Sequence, residues 1–594
     1  MRRLYTKMKH ICYFYIFDYR SIKNMGISLD ARYVYDMDEE EKVLTIAKNE
    51  KYVEGFWPKG ISSLTALVGN NGAGKTSYLE YMLYMLAEGE HDRDKNAIIV
   101  YEEEDGLHAY MPSKCEYKVQ SMDSTITCIT SHRRVHTGMF YYSSYFRSYA
   151  SVSKPGDGEL AGVYNATDTW RLVKDLQDYS NLNTISGTKI LRRHLSAMRA
   201  QDNNRIVQLL SDNELRNLLP KDAFPSYVIL NPNESGYDAL SDAHRGEKKL
   251  VNRPRYIVAN KEIALARIIY YNFYNIIAEL GEEGNAIIYK YRDEWNAIFR
   301  KKKDALISYE IFLNRYPDIH VRFTQLLNII RFISKAFEYD HKNGTLYLDL
   351  LDEQNKHNII QLMAYFRLES FVVAHFFDMG FAHAHSADTQ LSSGEHEMLK
   401  FFSRLYDSTE LTPSKISNIY APPLLLIDEA ENSYHPEWQK KFVNILVNFV
   451  HALYVRLKQK TVFQIVLTTH SPILLSDIPS EYVNYLKKEG KKMTVVKNQP
   501  ETFGANIFEL YRYSFFMSNG LVGEFAQQKI EQIQNHIKSG KMPVEDICKE
   551  INLIGDKGIR TYLMTMLEEC RDRDMLSYYR QKVGELERRV HDKD

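Results

Sequence analysis

The sequence predicts an α/β fold, interrupted by a long, mainly helical insertion and followed by a helical C-terminal tail. Three observations carry this. The run "LVGNNGAGKTSYLEYML" (Leu67 to Leu83) sets a glycine loop between an apolar stretch and a helical pattern. Far downstream, Leu424 to Ile427 form a second apolar run that ends in Asp428-Glu429. Between them, Lys261 to about Phe337 keeps apolar residues near a helical period, as at Ile263, Tyr270, Phe273, Ile277 and Leu280.

Taken in order, the basic N-terminus "MRRLYTKMKH" leads into a short aromatic and β-branched run. No small-residue cleavage site follows, so Ile11 to Phe17 is expected to be a first strand and not a signal peptide. Leu64 to Val68 is expected to be a buried strand, and Tyr78, Leu79, Met82 and Leu83 mark the helix after the loop. "AIIVYEE", "YKVQSM", "TITCIT" and "MFYYSSYF" read as short strands. From about Trp170 to Lys248 the text becomes polar and irregular, with loops between short helices. "YDHKNGTLYLDL" reads as a hairpin turned at Asn343-Gly344. Heptads are not sustained enough for a long coiled-coil arm. The expected division is 1–165 for the first half of the head, 166–380 for the helical insertion, 381–500 for the second half and 501–594 for the tail.

At 594 residues the chain exceeds one compact core. Its 44 % hydrophobic and 26 % charged content is ordinary for a globular protein. A net charge of −1 supplies no global basic field, so any nucleic-acid contact must use a local patch. The five cysteines are scattered without a C-x-x-C pair, which argues against zinc ribbons and a disulfide framework and fits a reducing cytoplasm. No stretch reaches the ~18 apolar residues of a membrane span.

The loop Gly69-Asn70-Asn71-Gly72-Ala73-Gly74-Lys75-Thr76 has the G-x-x-x-x-G-K-[ST] form. Its glycines let successive backbone N–H groups turn toward an anion, and the helix that follows adds its positive dipole end. The expected nucleotide contacts are Asn70, Asn71, Gly72, Ala73, Gly74, Lys75, Thr76 and Ser77. Lys75 would reach the β/γ-phosphates, and Thr76 would ligate Mg2+. A carboxylate at the tip of the second apolar strand, Asp428, can hold the magnesium shell, and Glu429 can polarise a water. Pro436 suits the first position of the next helix.

Two further segments are "LSSGEHEMLKFF", beginning at Leu391, and "IVLTTHSPILL", with His470 at another strand tip. In this order the four resemble the ABC ATPase set of Walker A, signature, Walker B with its glutamate, and switch histidine. The resemblance covers nearly the whole chain, with a long insertion between Walker A and signature. It implies an ABC-type P-loop ATPase head that binds ATP and Mg2+ in a head-to-head dimer, with Glu429 activating water and His470 sensing the γ-phosphate. It implies also that the signature residues Ser392, Ser393, Gly394 and Glu395 face nucleotide held by the opposite subunit, and that Glu431, Asn432 and Ser433 form the D-loop. "LSSGE" and "DEAENSYHPEWQ" are closer to the overcoming-lysogenization-defect and RecF-like ATPases than to transporters. "FDYRSIKN" resembles the "NFRS" strand of chromosome-maintenance and repair ABC proteins. There Arg20 would touch phosphate, a surface ion pair being the alternative. Gln120 is one candidate for the Q-loop.

The tail, "VVKNQPETFGANIFELYRYSFFMSNGLVGEFAQQKIEQI" and "INLIGDKGIRTYLMTMLEE", resembles PtuA, the ATPase family of Septu anti-phage systems and related retron systems. The Gly520–Phe525 turn is its recognisable part. This resemblance implies a separate HNH nuclease partner of the PtuB kind and, in retron systems, a reverse transcriptase with its DNA and RNA. A DNA-repair or recombination ATPase acting directly on DNA is the alternative. Other clusters read as structural. His383 and His385 lack further metal ligands; "SHRRVH" (His132 to His136) and "RKKK" (Arg300 to Lys303) read as solvated basic faces, contact with nucleic acid being the alternative. Asp572 and Asp574 sit in a charged helical segment with no nuclease strand before them.

Overall fold

A computed structural model describes residues 10–70, 72–87, 97–112, 115–123, 126–132, 135–144, 163–167, 202–232, 260–280, 282–301, 304–355, 357–359, 361–362, 377–385, 390–409, 421–490, 492–496, 501–514 and 522–591. Two compact units follow one another, Met1–Phe515 and Phe516–Asp594.

The first unit is α/β. Its main sheet has seven strands in the order Val163–Asn165, Met139–Ser143, Leu424–Asp428, Phe463–Thr469, Ile61–Gly69, Val483–Glu489, Lys492–Val496. All neighbours pair in parallel except the last two. The central strands are apolar and buried along their length, as Leu424 to Ile427 and Ile465 to Leu467 are, which is how strands covered on both faces read. Because they run parallel, Gly69, Asp428 and Thr469 finish at one edge. A crevice beyond the carboxyl ends of such strands is where ligands bind in open α/β sheets.

A second sheet joins Ile22–Ser28, His10–Tyr19, Ala97–Glu103, Gly106–Tyr110 and Cys128–Ser131. The helix Lys75–Leu86 lies in the core between the two sheets. Tyr78, Leu79, Met82, Leu83 and Leu86 pack with Phe14 and Ile16 on one side and Leu426 and Val466 on the other. The Tyr78 hydroxyl donates to the Phe14 carbonyl, so a buried phenol is satisfied. The expected first strand runs His10–Tyr19. A three-stranded sheet (Tyr33–Asp38, Val43–Lys48, Lys118–Ser121) carries Gln120, whose amide bonds to the Thr45 hydroxyl.

Helices Lys261–Leu280, Glu282–Lys301, Ala305–Arg315 and Val321–Ala336 make the helical lobe. Phe273 stacks on the fully buried Trp295 at 3.7 Å, with Phe312 and Phe323 around them. The lobe is less purely helical than its sequence suggests. The hairpin Glu338–Asp340/Thr345–Asp349 forms around Gly344 (φ 69°), and it pairs onward with Tyr227–Pro232 and Phe377–Ala382 into a four-stranded antiparallel sheet. His385 stacks on Tyr347 at 3.7 Å and His383 bonds to Glu395 at 3.1 Å, so both histidines pack and bond within the protein.

The second unit is three helices, Glu524–Ser539, Val544–Asn552 and Lys557–His591, around Ile533, Ile537, Ile547, Ile551, Leu563 and Leu567. Asp572 lies on the long helix. Residues 515–521, with Gly520 and Leu521 of the Gly520–Phe525 turn, lie outside the described residues, as do Asn71, Arg133, Arg134, Lys302 and Lys303. No helix among the described residues is long and apolar enough to cross a membrane.

Candidate nucleotide site

The glycine loop begins where the strand Ile61–Gly69 ends. Gly72 and Gly74 both take φ 78°, a left-handed conformation that side-chain-bearing residues rarely adopt. A Cβ on Gly74 would also collide with the Met493 sulfur. Ala73 is buried, and its N–H bonds back to the Asn70 carbonyl at 3.0 Å, closing the loop. The helix starts at Lys75, with Gly74 as its N-cap and no side chain over its first N–H groups. That leaves an N-terminus of the kind that receives anions.

Lys75, Glu429 and His470 arrive from three different strand ends and converge. Lys75 Nζ lies 2.5 Å from His470 Nε2 and 3.6 Å from Glu429 Oε1; it donates to the Gly69 carbonyl at 3.1 Å. His470 Nε2 is 3.0 Å from Glu429 Oε1. Burial lowers the Lys75 pKa, against the opposing pull of Glu429 and Asp428. Glu429 itself holds φ 51°, its N–H bonded to the Thr468 carbonyl and its carbonyl accepting from the Ser144 hydroxyl.

Asp428 is fully buried among hydroxyls. Thr76 donates to it at 2.9 and 3.1 Å, Thr468 at 2.7 Å and Ser143 at 3.0 Å. A carboxylate beside a threonine hydroxyl is a hard oxygen donor set that suits Mg2+. Thr76 and Asp428 fit the metal role expected of them, and Ser143 and Thr468 join them. Sequence reasoning had not picked out these last two, although each stands at the tip of a strand it did find.

Arg20 sits in the turn Tyr19–Ile22 with φ 56°. It bonds to Glu80 at 2.7 Å and to the Ser77 hydroxyl at 3.2 Å. The ion-pair alternative and proximity to the loop helix therefore coexist: a buried carboxylate holds Arg20 over the first turn of that helix. Asn70 is exposed.

The segment expected to be the signature begins the helix Ser393–Ser408. Ser392 is its N-cap in a capping box: its hydroxyl accepts from Glu395 N–H, and the Glu395 carboxylate accepts from Ser392 N–H at 2.6 Å. Glu395 therefore has a local role in starting this helix. Ser392 and Ser393 are exposed, whereas Gly394 is buried. A Cβ on Gly394 would meet the Ser433 carbonyl oxygen at 2.7 Å, so the signature turn and the D-loop segment touch within one chain. Asn432 donates to Glu429 at 2.9 Å, and Thr469 donates to Glu431. Burial lifts the Glu431 pKa to about 7, with Glu429 and Asp428 nearby adding to the effect. The same helix is anchored from behind: Arg404, wholly buried, grips Asp202 at 2.6 and 3.0 Å and donates to the Ala166 carbonyl at 2.7 Å.

Residues 273–476 match the model of a family described as "AAA domain, putative AbiEii toxin, Type IV TA system". The match takes in the signature turn, Asp428-Glu429 and His470 but begins after the glycine loop. No curated protein matches the chain. Among solved structures, the chain is similar to an Smc head bound to the C-winged helix domain of ScpA (9 % identity, 82 % of this chain and 97 % of that one, TM-score 0.23). It is similar to the recombination mediator protein RecF-ATPrS (12 %, 83 % and 99 %, 0.21). It is also similar to an Smc head domain with an extended coiled coil, bound to the C-terminal domain of ScpA, derived from Pyrococcus furiosus (12 %, 82 % and 96 %, 0.25). The α/β fold rests on the sheet order itself. The family match, with a phosphate loop set against a buried carboxylate, gives the chain an AAA-type ATPase domain of the P-loop class.

Proposed function

We propose that the chain is an ABC-type ATP hydrolase that works as a head-to-head dimer or higher oligomer and controls a separate nuclease in a bacterial anti-phage complex. The observation that carries the hydrolase reading is the convergence of Lys75, Glu429 and His470 beside the Thr76–Asp428 pair. In this reading the loop N–H groups and Lys75 hold the phosphates, and Thr76 and Asp428 hold Mg2+. The metal, when bound, neutralises charge on the β- and γ-phosphate oxygens. Glu429 accepts a proton from the attacking water, and its left-handed backbone, bonded at both N–H and carbonyl, aims the carboxylate. His470 exchanges its contact with Lys75 and Glu429 for one with the terminal phosphate. Ser392 and Ser393 are exposed at a helix N-terminus, which supports a role for them at phosphate held by a second copy.

The defence role rests on the PtuA-like tail and on the "LSSGE" signature. An HNH nuclease of the PtuB kind is the expected partner, with a retron reverse transcriptase and its nucleic acid where such a system is present. The matched family's description, a putative toxin of a type IV TA system, is in keeping with that class.

A mixing experiment tests the shared site. Lys75→Ala should lose ATP affinity, and Ser392→Arg should bind ATP yet fail to hydrolyse it. In a mixed dimer one site carries both lesions and the other neither, so turnover should partly return. Mixed dimers that form and stay inactive would defeat the two-fold sandwich with independent sites.

A further inference from the structure

His470 reaches Lys75 and Glu429 just past the end of the strand Phe463–Thr469, where the sheet ladder stops holding the backbone. What holds this turn instead is a ring of hydrogen bonds. Thr469, fully buried, donates to the Glu431 carboxylate and accepts from the Ser471 N–H at 2.8 Å. The Ser471 hydroxyl donates to the Gln439 side-chain oxygen at 2.7 Å. Gln439 is the fourth residue of the helix Pro436–Arg456, which follows the D-loop segment. Its amide nitrogen donates back to the Tyr434 carbonyl at 3.1 Å and, over a longer 3.4 Å, to the Glu431 carbonyl. The ring closes there, on the residue whose carboxylate began it.

The partners fix which way the Gln439 amide faces. Backbone carbonyls only accept, so the amide nitrogen must face Tyr434 and Glu431, and the oxygen is left for Ser471. Ionised glutamate would set an oxygen against two carbonyls, and methionine, of similar length, would bond to neither side. His470 is not a member of the ring. Its Nε2 meets Lys75 and Glu429, while the ring holds the residue before it and the residue after it.

We propose that Gln439 is a positioning residue for hydrolysis: by tying Ser471 to the D-loop segment, it fixes the backbone that presents His470 to the terminal phosphate. This rests on the ATPase reading and adds to it a side chain outside the set that holds nucleotide and metal. A displacement of about 1 Å at a reacting group can cost ~10²-fold in rate. The loss falls on turnover, because Lys75, Thr76 and the loop N–H groups that hold ATP keep their places.

Single-turnover hydrolysis and ATP affinity of the full chain test this in Gln439→Met, Ser471→Ala and His470→Ala, alone and combined. Gln439→Met should slow hydrolysis about three- to tenfold, the worth of one neutral hydrogen bond, and leave ATP affinity within about twofold of wild type. Ser471→Ala removes the other half of the same bond. It should match Gln439→Met, and the double variant should be no slower than either. In His470→Ala, already slow, adding Gln439→Met should slow hydrolysis no further, since nothing is left to position. A residue that only stabilises the fold would cause the same loss in both backgrounds. Should Gln439→Met melt early, Ser471→Ala carries the same comparison. A further loss in the His470→Ala background, or ATP affinity falling in step with rate, would overturn the proposal. Failure of the ATPase reading looks different: wild-type hydrolysis in His470→Ala would remove the histidine from the mechanism, and Gln439 with it. A slow His470→Ala beside wild-type rates in Gln439→Met and Ser471→Ala would sink the proposal alone.

Discussion

Glu429 holds a left-handed backbone at φ 51°, which costs a non-glycine residue about 1–3 kcal/mol. Glycine would remove that cost, so the carboxylate is retained at the expense of stability, a pattern associated with reacting groups. Glu429→Gln keeps the shape and removes the base. ATP should bind, and turnover should fall by about 10² to 10⁴. A phosphate-release assay on nucleotide-loaded protein decides it, and wild-type turnover would remove Glu429 from the chemistry. Glu431, two positions on, behaves differently. Burial lifts its pKa to about 7 from an ordinary value near 4.5. A group whose folded pKa is raised contributes most below its unfolded pKa and loses that contribution as pH climbs through the folded value. The window therefore runs from pH ~4.5 to ~7, and at about 1.4 kcal/mol per unit the loss approaches ~3 kcal/mol. Glu431→Gln cannot ionise. It should unfold at a higher temperature than wild type at pH 8, and the gap should close near pH 5. A gap that is the same at both pH values would mean that Glu431 does not titrate in this range.

The signature helix shows what a sequence reveals of an element and what it hides. Its start is written in Ser392 and Glu395, which stand three apart before an apolar run as a capping box needs, a signal that the motif resemblance left unused. The strand and helix on either side of the glycine loop, and the strand that ends at Asp428, were legible because each apolar run or helical period abuts a motif of fixed residue types. The intrachain contact of Gly394 was not, because a glycine shows neither which backbone it approaches nor from which segment. The Ser143 and Thr468 hydroxyls around Asp428 were hidden because three strands distant in sequence bring them together. The sheet in the helical lobe was hidden because Tyr227–Pro232 and Phe377–Ala382 are short, and pairing across so long a separation leaves no local period. The Asp202–Arg404 pair behind the signature helix was hidden too, since neither residue type signals burial. Gly394→Ala tests the contact that spacing could not show. Alanine favours a helix over glycine by about 0.5–1 kcal/mol, but overpacking against a backbone oxygen at 2.7 Å costs about 1–3 kcal/mol. The second term wins. A lower melting temperature is expected, with turnover falling more than ATP affinity, while Ser393→Ala at the exposed neighbour leaves both near wild type. Unchanged stability in Gly394→Ala would mean that the signature turn and D-loop can part freely.

At the scale of the whole molecule, two separate units raise the question of what the second is for. Residues 516–594 have their own small core, and no residue of the nucleotide site lies in them. Along the helix Lys557–His591, Leu576, Tyr579, Val583 and Leu586 recur at spacings of three and four, all more than half exposed. Such a stripe on one helix face is an unpaired seam that a partner helix can cover. This is where the proposed complex would join the ATPase to its nuclease. ATP can bias that partner only through different affinity for two arrangements of the chain, since equal affinity shifts nothing. Cutting within the second unit would expose Ile547 and Ile551 by removing Leu563 and Leu567, so the removal should begin at Phe516. The truncated chain should keep ATP turnover and lose capture of the co-expressed HNH nuclease. Leu576→Asp with Val583→Asp gives the milder version: both side chains are exposed, so the three-helix core should persist by circular dichroism while capture is lost. If the doubly charged variant retains the nuclease as well as wild type does, the seam is not the docking face. If the truncated chain also retains it, the partner binds the ATPase unit and the second unit serves another purpose.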